Sequence, residues 1–212
     1  MTSLRKPGEC SLYGILDTTY LGPRDPAEVA VKMLEGGVDI IQVRAKGWQA
    51  GEVAALSKIV LLVTRPAGVP LIVNDHPAVA AEVGADGVHV GQEDGSVKEA
   101  RRIAGGACWV GKSTHSLEQA LAAQEEGADY IGVGPVFATP TKPDYKPVGL
   151  ELVRKVAPQL HVPFFCIGGI KRENAADVLG AGAKRIVVVS GILQADNITD
   201  YCSGLRRLLD EK

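Results

Sequence analysis

Two periodicities alternate from one end of this 212-residue chain to the other, and that alternation leaves few folds open. Short β-rich apolar runs fall at 12–17, 39–44, 70–74, 87–90, 108–113, 130–133, 163–167 and 185–190. Between them, stretches at 26–35, 50–63, 77–83, 97–103, 117–126, 150–156, 172–179 and 198–209 carry helical periodicity. Asp25-Pro26 and His76-Pro77 put proline near the first helical turn, where its missing N–H is not needed. Near-continuous apolar strands separated by helices predict a parallel sheet with helices outside it.

A weak internal repeat sharpens the prediction. Glu35-Gly-Gly-Val-Asp39, Val83-Gly-Ala-Asp86, Gly127-Ala-Asp129 and Gly180-Ala-Gly-Ala-Lys184 each close a helix with glycine and enter an apolar strand. They precede the second, fourth, sixth and eighth strands, so the period is two βα units, a quarter of a barrel. The expected architecture is a single-domain (β/α)8 TIM barrel over 1–212, with 1–11 a short N-terminal extension. An open doubly wound sheet is the second architecture, but no G-x-G-x-x-G follows the first strand as a dinucleotide fold would require.

Composition excludes several function classes. A net charge of −2 provides no basic field for nucleic acid or an anionic membrane, and 5% aromatics provide no stacking platform for single strands. No apolar h-region follows Arg5 and Lys6, and the longest apolar run, 59–63, is too short to span a bilayer. The four cysteines are scattered without C-x-x-C or metal-ligand spacing, as for reduced thiols. A cytoplasmic protein is expected.

In a barrel, chemistry sits where strands end and βα loops begin, and polar residues cluster there. Gln42, Arg44 and Lys46 are spaced by two and share the inward face, while Ile41 and Val43 face the helices. Buried cations need an anion. Asp75 ends the third strand and Gly91-Gln-Glu-Asp94 follows the fourth, so Asp75 can meet Asp94 or Glu93 over the mouth. One or two carboxylates completed by water and phosphate oxygen suit magnesium; alternatively, Asp75 caps the helix after His76-Pro77.

His89 lies mid-strand, where a hydrogen-bonded structural role is the commoner outcome. Gly111-Lys-Ser-Thr-His115 offers hydroxyls and N–H groups, either as an anion contact or as ordinary capping. Ile167-Gly-Gly-Ile170 and Val189-Ser-Gly-Ile192 end the seventh and eighth strands, a recurrent phosphate position. The loop 134–146, with Thr139, Thr141 and Lys142, has no periodic pattern and reads either as a phosphate-binding lid or as a solvated connector.

With Gln42-Val-Arg-Ala-Lys46, Val73-Asn-Asp75, Asp86-Gly-Val-His-Val-Gly-Gln-Glu-Asp94, Ser113-Thr-His115, Gly134-Pro-Val-Phe-Ala-Thr-Pro-Thr-Lys142, Ile167-Gly-Gly-Ile170 and Val189-Ser190 in order, the chain resembles the thiamine phosphate synthase family from about Leu12 to Leu209. The resemblance implies a transferase that joins 4-amino-2-methyl-5-(diphosphooxymethyl)pyrimidine to a thiazole phosphate, releasing diphosphate through a dissociative step assisted by Mg2+. It implies pyrimidine diphosphate contacts from Gln42, Arg44, Lys46, Asn74, Ser113 and Lys142, with Arg44, Lys46, Ser113 and Lys142 as the catalytic set. It further implies metal ligation by Asp75 and Asp94, and thiazole phosphate contacts from Thr139, Pro140, Thr141, Gly169, Val189 and Ser190. Small-molecule substrates are then the expected partners, and barrels of this kind often self-associate into homo-oligomers. Lys112 stands where relatives usually carry a neutral residue, and Ile15-Leu16-Asp17 departs from the usual first-strand ending; neither is expected to touch an assigned role. Two rival readings are a thiazole tautomerase on the same barrel and a non-catalytic thiamine phosphate sensor. The full set of diphosphate and metal residues favours the synthase.

Overall fold

The computed structural model describes residues 5–141 and 146–211. Eight strands, β1 (Leu12–Asp17), β2 (Ile40–Arg44), β3 (Leu71–Asn74), β4 (Gly87–Val90), β5 (Trp109–Thr114), β6 (Tyr130–Val133), β7 (Phe164–Cys166) and β8 (Ile186–Val188), pair in chain order into a closed barrel. Every pairing is parallel, including the β8–β1 closure. Around them run α1 (Thr18–Leu21), α2 (Pro26–Glu35), α3 (Ala50–Thr64), α4 (Pro77–Val83), α5 (Val97–Ala104), α6 (Leu117–Glu125), α7 (Gly149–Val156), α8 (Arg172–Gly180), α9 (Ser190–Leu193) and α10 (Ile198–Asp210). The single-domain (β/α)8 expectation is met, and the open sheet is ruled out by closure. Among the described residues, no helix is long and apolar enough to cross a membrane.

Two short helices at the barrel mouth escape the periodicity argument, because neither is long enough to show a period. Asp17 starts α1 by accepting from the Thr19 N–H at 2.9 Å. The eighth strand, expected to reach residue 190, leaves the sheet after Val188: Val189 turns to φ −117°, ψ −88°, and Ser190 opens α9.

Alternation along the strands divides the apolar residues into two bodies. Ile41, Val43, Val73, Val88 and Val110 face outward into the layer between barrel and helices. Cys10, Tyr13, Ile15, Ile40, Ile72, Tyr130, Phe165 and Val187 fill the barrel itself. Phe165 meets Tyr13 edge-on (centroids 5.5 Å apart, 87° between planes) and Tyr130 likewise (5.6 Å, 80°), a favoured aromatic geometry. Room for the Tyr130 ring comes from Gly111 on the neighbouring strand, where any Cβ would collide with that ring. The rings plug the lower barrel, and ligands are left the mouth.

The quarter-barrel repeat has a physical basis beyond its glycines. Gly37, Gly84, Gly127 and Gly182 all adopt positive φ at the returns. In the first three returns the aspartate that follows reaches back to the preceding strand. Asp39 accepts from the Ser11 and Leu12 N–H groups at 2.8 and 3.0 Å, Asp86 from Leu71 at 2.8 Å, and Asp129 from Val110 at 2.7 Å. Each carboxylate thus satisfies a strand-end amide that the parallel ladder leaves open.

Candidate active site

The inward positions of β2 end in cations, and each has its anion built into the protein. Gln42 is 2% exposed, deep in the mouth. Arg44 is ion-paired to Asp17 of β1, and Lys46 to Asp75 at the end of β3. Asp75 itself holds φ +62°, an uncommon conformation for a residue with a Cβ, and its N–H is tied to the His89 carbonyl at 2.8 Å. Capping does not explain it: the cap position of α4 is His76, with no side-chain cap bond.

Asp75 and Asp94 line one cavity with Asn74, Lys46 and Trp48. Burial pushes the Asp75 carboxyl above its ordinary range; the Lys46 ammonium opposes this and the adjacent Asp94 carboxyl adds to it. Asp75 Oδ2 is buried against that ammonium yet makes no well-directed hydrogen bond. Two crowded oxygen donors with an under-satisfied buried lone pair form a donor set that fits a hard divalent cation sharing its remaining positions with water or phosphate. Among the described residues no group of three or more His, Cys, Asp or Glu gathers as a metal centre, here or elsewhere.

A second, central cavity is lined by Tyr13, Ile15, Gln42, Asn74, His89 and Ser113 above the aromatic plug. A third, with an empty volume of about 640 Å3, is lined on one side by Thr139 and Thr141, and on the other by Gly168, Gly169, Val189 and Ser190. Asn74 belongs to the first and second cavities, and Ser113 to the second and third, so the three lie side by side as a trough across the mouth. Lys46, Asn74, Asp75 and Asp94 thus gather at a polar end, while Gln42 and Ser113, and beyond them Thr139, Thr141, Gly169, Val189 and Ser190, line mainly apolar compartments; Arg44 and Pro140 line none of the three. Lys142 lies outside the described residues.

The glycines after β7 do more than bare their N–H groups. A Cβ on Gly168 or Gly169 would collide with Pro135 or with Ala138 and Phe137, so the β6 loop lies directly on them. Val136 and Phe137 donate to the Ile167 and Gly168 carbonyls at 2.8 and 3.0 Å. That packing fixes the start of the loop carrying Thr139 and Thr141, contrary to a free solvated connector. Along β5 and the turn after it the polar residues divide by role. Ser113 faces the trough, Thr114 is buried and bonds the Gly132 carbonyl at 3.0 Å, and Ser116 caps α6 by accepting from Gln119.

Three contributors were missed or misjudged from sequence. Asp17 and Lys112, expected to be peripheral, both touch the site. Asp17 holds Arg44, and it stands in line with inward Tyr13 and Ile15, a parity readable from the sequence. Lys112, 7% exposed on the outer face of β5, donates to the Gly91 and Gly95 carbonyls at 2.7 Å each, bracketing Asp94. Tyr20 of α1 places its hydroxyl 3.1 Å from Thr141 Oγ1, joining the first and sixth loops across the mouth. No local signal marked it, because α1 itself was not foreseen.

The fold and this trough define a (β/α)8 enzyme whose ligand site is built from the C-terminal strand ends. The model of the family described as thiamine monophosphate synthase matches residues 12–192. A thiamine-phosphate synthase of Thermus thermophilus is 49% identical over 179 residues, covering 84% of this chain and 86% of the relative. One from Pelotomaculum thermopropionicum is 43% identical over 205 residues, covering 96% and 94%. A solved thiamine phosphate pyrophosphorylase from Pyrococcus furiosus superposes with a TM-score of 0.88 at 36% identity, covering 97% and 98%. The chain belongs to the thiamine monophosphate synthase family, and is a transferase of that kind.

Proposed function

We propose that the trough couples 4-amino-2-methyl-5-(diphosphooxymethyl)pyrimidine to a thiazole phosphate, giving thiamine phosphate and diphosphate. One observation carries the reading: the cavity of Lys46, Asp75 and Asp94 and the cavity of Thr139, Thr141, Gly169, Val189 and Ser190 each share wall residues with a compartment between them. Two anionic tails at the ends and two reacting rings between them match that layout. Family membership supports the same reading.

In this mechanism the thiazole nitrogen already has its lone pair, so no general base is needed to activate it. The demanding event is departure of diphosphate from the pyrimidine methylene. Arg44 and Lys46, with Lys142 assigned by resemblance, stabilise charge as it grows on the leaving group. Gln42 and Asn74 orient the pyrimidine in the middle compartment, and Ser113 donates to the diphosphate of the same substrate. Thr139, Thr141 and the backbone around Pro140, Gly169, Val189 and Ser190 hold the thiazole phosphate, supplying alignment rather than reactivity. Asp75 and Asp94 would hold Mg2+, which when bound neutralises diphosphate charge as a Lewis acid. Binding diphosphate exchanges the Lys46–Asp75 pairing for contacts with the ligand, while buried Asp17 keeps its hold on Arg44. The buried, unoxidised cysteines suit a reducing cytoplasm.

The test is to mix both substrates with Mg2+ and follow thiamine phosphate and diphosphate. Formation of both products, abolished in Asp94→Asn with an unchanged circular dichroism spectrum, is the expected result. No product, with isomerisation of the thiazole alone, would assign the chain to tautomerase chemistry; tight thiamine phosphate binding without turnover would make it a sensor.

A further inference from the structure

Beneath the trough, five side chains from five different strands form one hydrogen-bonded row. Gln42 Nε2 lies 2.6 Å from the Tyr13 hydroxyl, and the Tyr13 and Tyr130 hydroxyls are 3.1 Å apart. Tyr130 is 3.2 Å from His89 Nδ1, and His89 Nε2 is 2.8 Å from Ser113 Oγ. Tyr13 and Tyr130 are each 1% exposed, so neither hydroxyl has a solvent alternative. The imidazole also stacks on the Tyr130 ring, with centroids 5.5 Å apart and 29° between planes, which fixes its plane.

Hydroxyls and a neutral imidazole can be threaded in either direction, so only the ends of such a row choose its polarity. A primary amide nitrogen donates and cannot accept. With Gln42 Nε2 facing Tyr13, the Tyr13 oxygen is the acceptor, and its own proton has one buried partner, the Tyr130 oxygen. Tyr130 then donates to His89 Nδ1, which leaves the imidazole proton on Nε2, aimed at Ser113 Oγ. The Ser113 proton is the one member not consumed within the row. Desolvation raises the pKa of both phenols, which keeps them protonated donors.

We infer that Gln42 polarises this row, holding His89 as its neutral Nε2–H tautomer and presenting Ser113 to the trough as a hydrogen-bond donor. His89 is thus a positioning residue, acting through Ser113. The inference rests on the anionic substrate proposed above: the opposite polarity would bind the Ser113 proton to His89 and turn only oxygen lone pairs toward the ligand. Nothing in the row needs the ligand to be present, so its polarity is set before binding, as preorganised stabilisation requires.

The tautomer is measurable without substrates. In 15N-histidine-labelled enzyme the resonances of His89, identified by their loss in His89→Gln, are expected to show one protonated Nε2 and one unprotonated Nδ1. Tyr130→Phe, which cuts the row in its middle, and Gln42→Met, which removes the end that chooses direction, are each expected to give an exchange average of both tautomers. Tyr130→Phe should also lower kcat about tenfold, the scale of one hydrogen bond to a charged group, with the KM for thiazole phosphate unchanged. His89→Gln, which retains a donor near Ser113, should keep more activity than His89→Leu. An Nδ1–H or mixed tautomer in the wild type would overturn the inference, as would a single Nε2–H form persisting in both variants. If Tyr130→Phe fails to fold, Tyr13→Phe interrupts the same row and is read identically. Wild-type enzyme with the expected tautomer but no product would instead count against the substrate assignment.

Discussion

The Asp17 carboxylate, fully buried, forms an ion pair with the Arg44 guanidinium of the neighbouring strand. The pair fixes the position of one of the proposed leaving-group cations before any ligand arrives. Removing the carboxylate frees the guanidinium to wander, and also removes the cap of α1. Asp17→Ala is therefore expected to raise the KM for the pyrimidine diphosphate about fivefold, equivalent to ~1 kcal/mol of lost positioning. The KM for thiazole phosphate should stay unchanged in the same steady-state measurement. Equal rises in both would show that Asp17 acts on the whole mouth and not through Arg44.

The three repeat aspartates should differ in their contribution to stability. Asp39 serves two strand N–H groups and two arginines, Arg5 and Arg206, so Asp39→Ala is expected to cost about 3 kcal/mol, the scale of several charge-assisted bonds. Asp129, bonded to Val110 and Arg101 but about one-third exposed, should cost about half as much, since solvent screens its ion pair. Urea titration of the three variants orders them directly.

Asp86 behaves differently with pH. Burial holds its carboxyl above the ordinary value, despite the Leu71 N–H and the Arg65 charge pulling it down. A folded state that keeps this proton longer than the unfolded chain gains stability below the unfolded pKa. It loses that gain as pH rises through the folded pKa. Asp86→Asn should flatten this part of the stability–pH curve and be the mildest of the three substitutions near neutrality. A steeper curve in the variant would refute the sign.

All four cysteines are buried and free, and burial raises Cys10, Cys166 and Cys202 to about 12 and Cys108 to about 11. The thiolate is the reactive form, so native enzyme at pH 8 should release almost no thionitrobenzoate from a disulfide reagent, and four equivalents once unfolded in guanidinium. Rapid native reaction of any one thiol would mark local opening of the layer that covers it.

Gly111→Ala places a methyl group into the Tyr130 ring. Overpacking a ring wedged between Tyr13 and Phe165 should cost about 3 kcal/mol. The variant should melt several degrees lower, and should disturb the His89 resonances through the displaced Tyr130 hydroxyl.

The barrel was legible because strand and helix periods differ and because the glycine returns recur every second strand. Bounds failed where the chain left a pattern for a tight turn, as at Val189, since backbone torsion there has no compositional marker. Part of the candidate site's placement was legible from alternation: Gln42 reaches the Tyr13 hydroxyl inside the barrel, Arg44 meets Asp17, and Asp75 lies beside Asp94. What stayed hidden were relations across strands. Pairing of Asp17 with Arg44 depends on the β1–β2 register, and the reach of Lys112 to Gly91 and Gly95 depends on a loop folding back over β5. Register and loop path are products of the closed sheet, not of any local stretch.

Strand β5 looks two ways at once. Its inner residue Ser113 walls the trough, while its outer residue Lys112 grips the two carbonyls on either side of Asp94, and Gln92 from that loop returns a bond to the Ser113 carbonyl. A displacement of the strand would therefore carry a proposed ligand contact and a proposed ion ligand together. Their separation would be preserved under that shared displacement, much as two instruments bolted to one rail keep their alignment when the bench shakes.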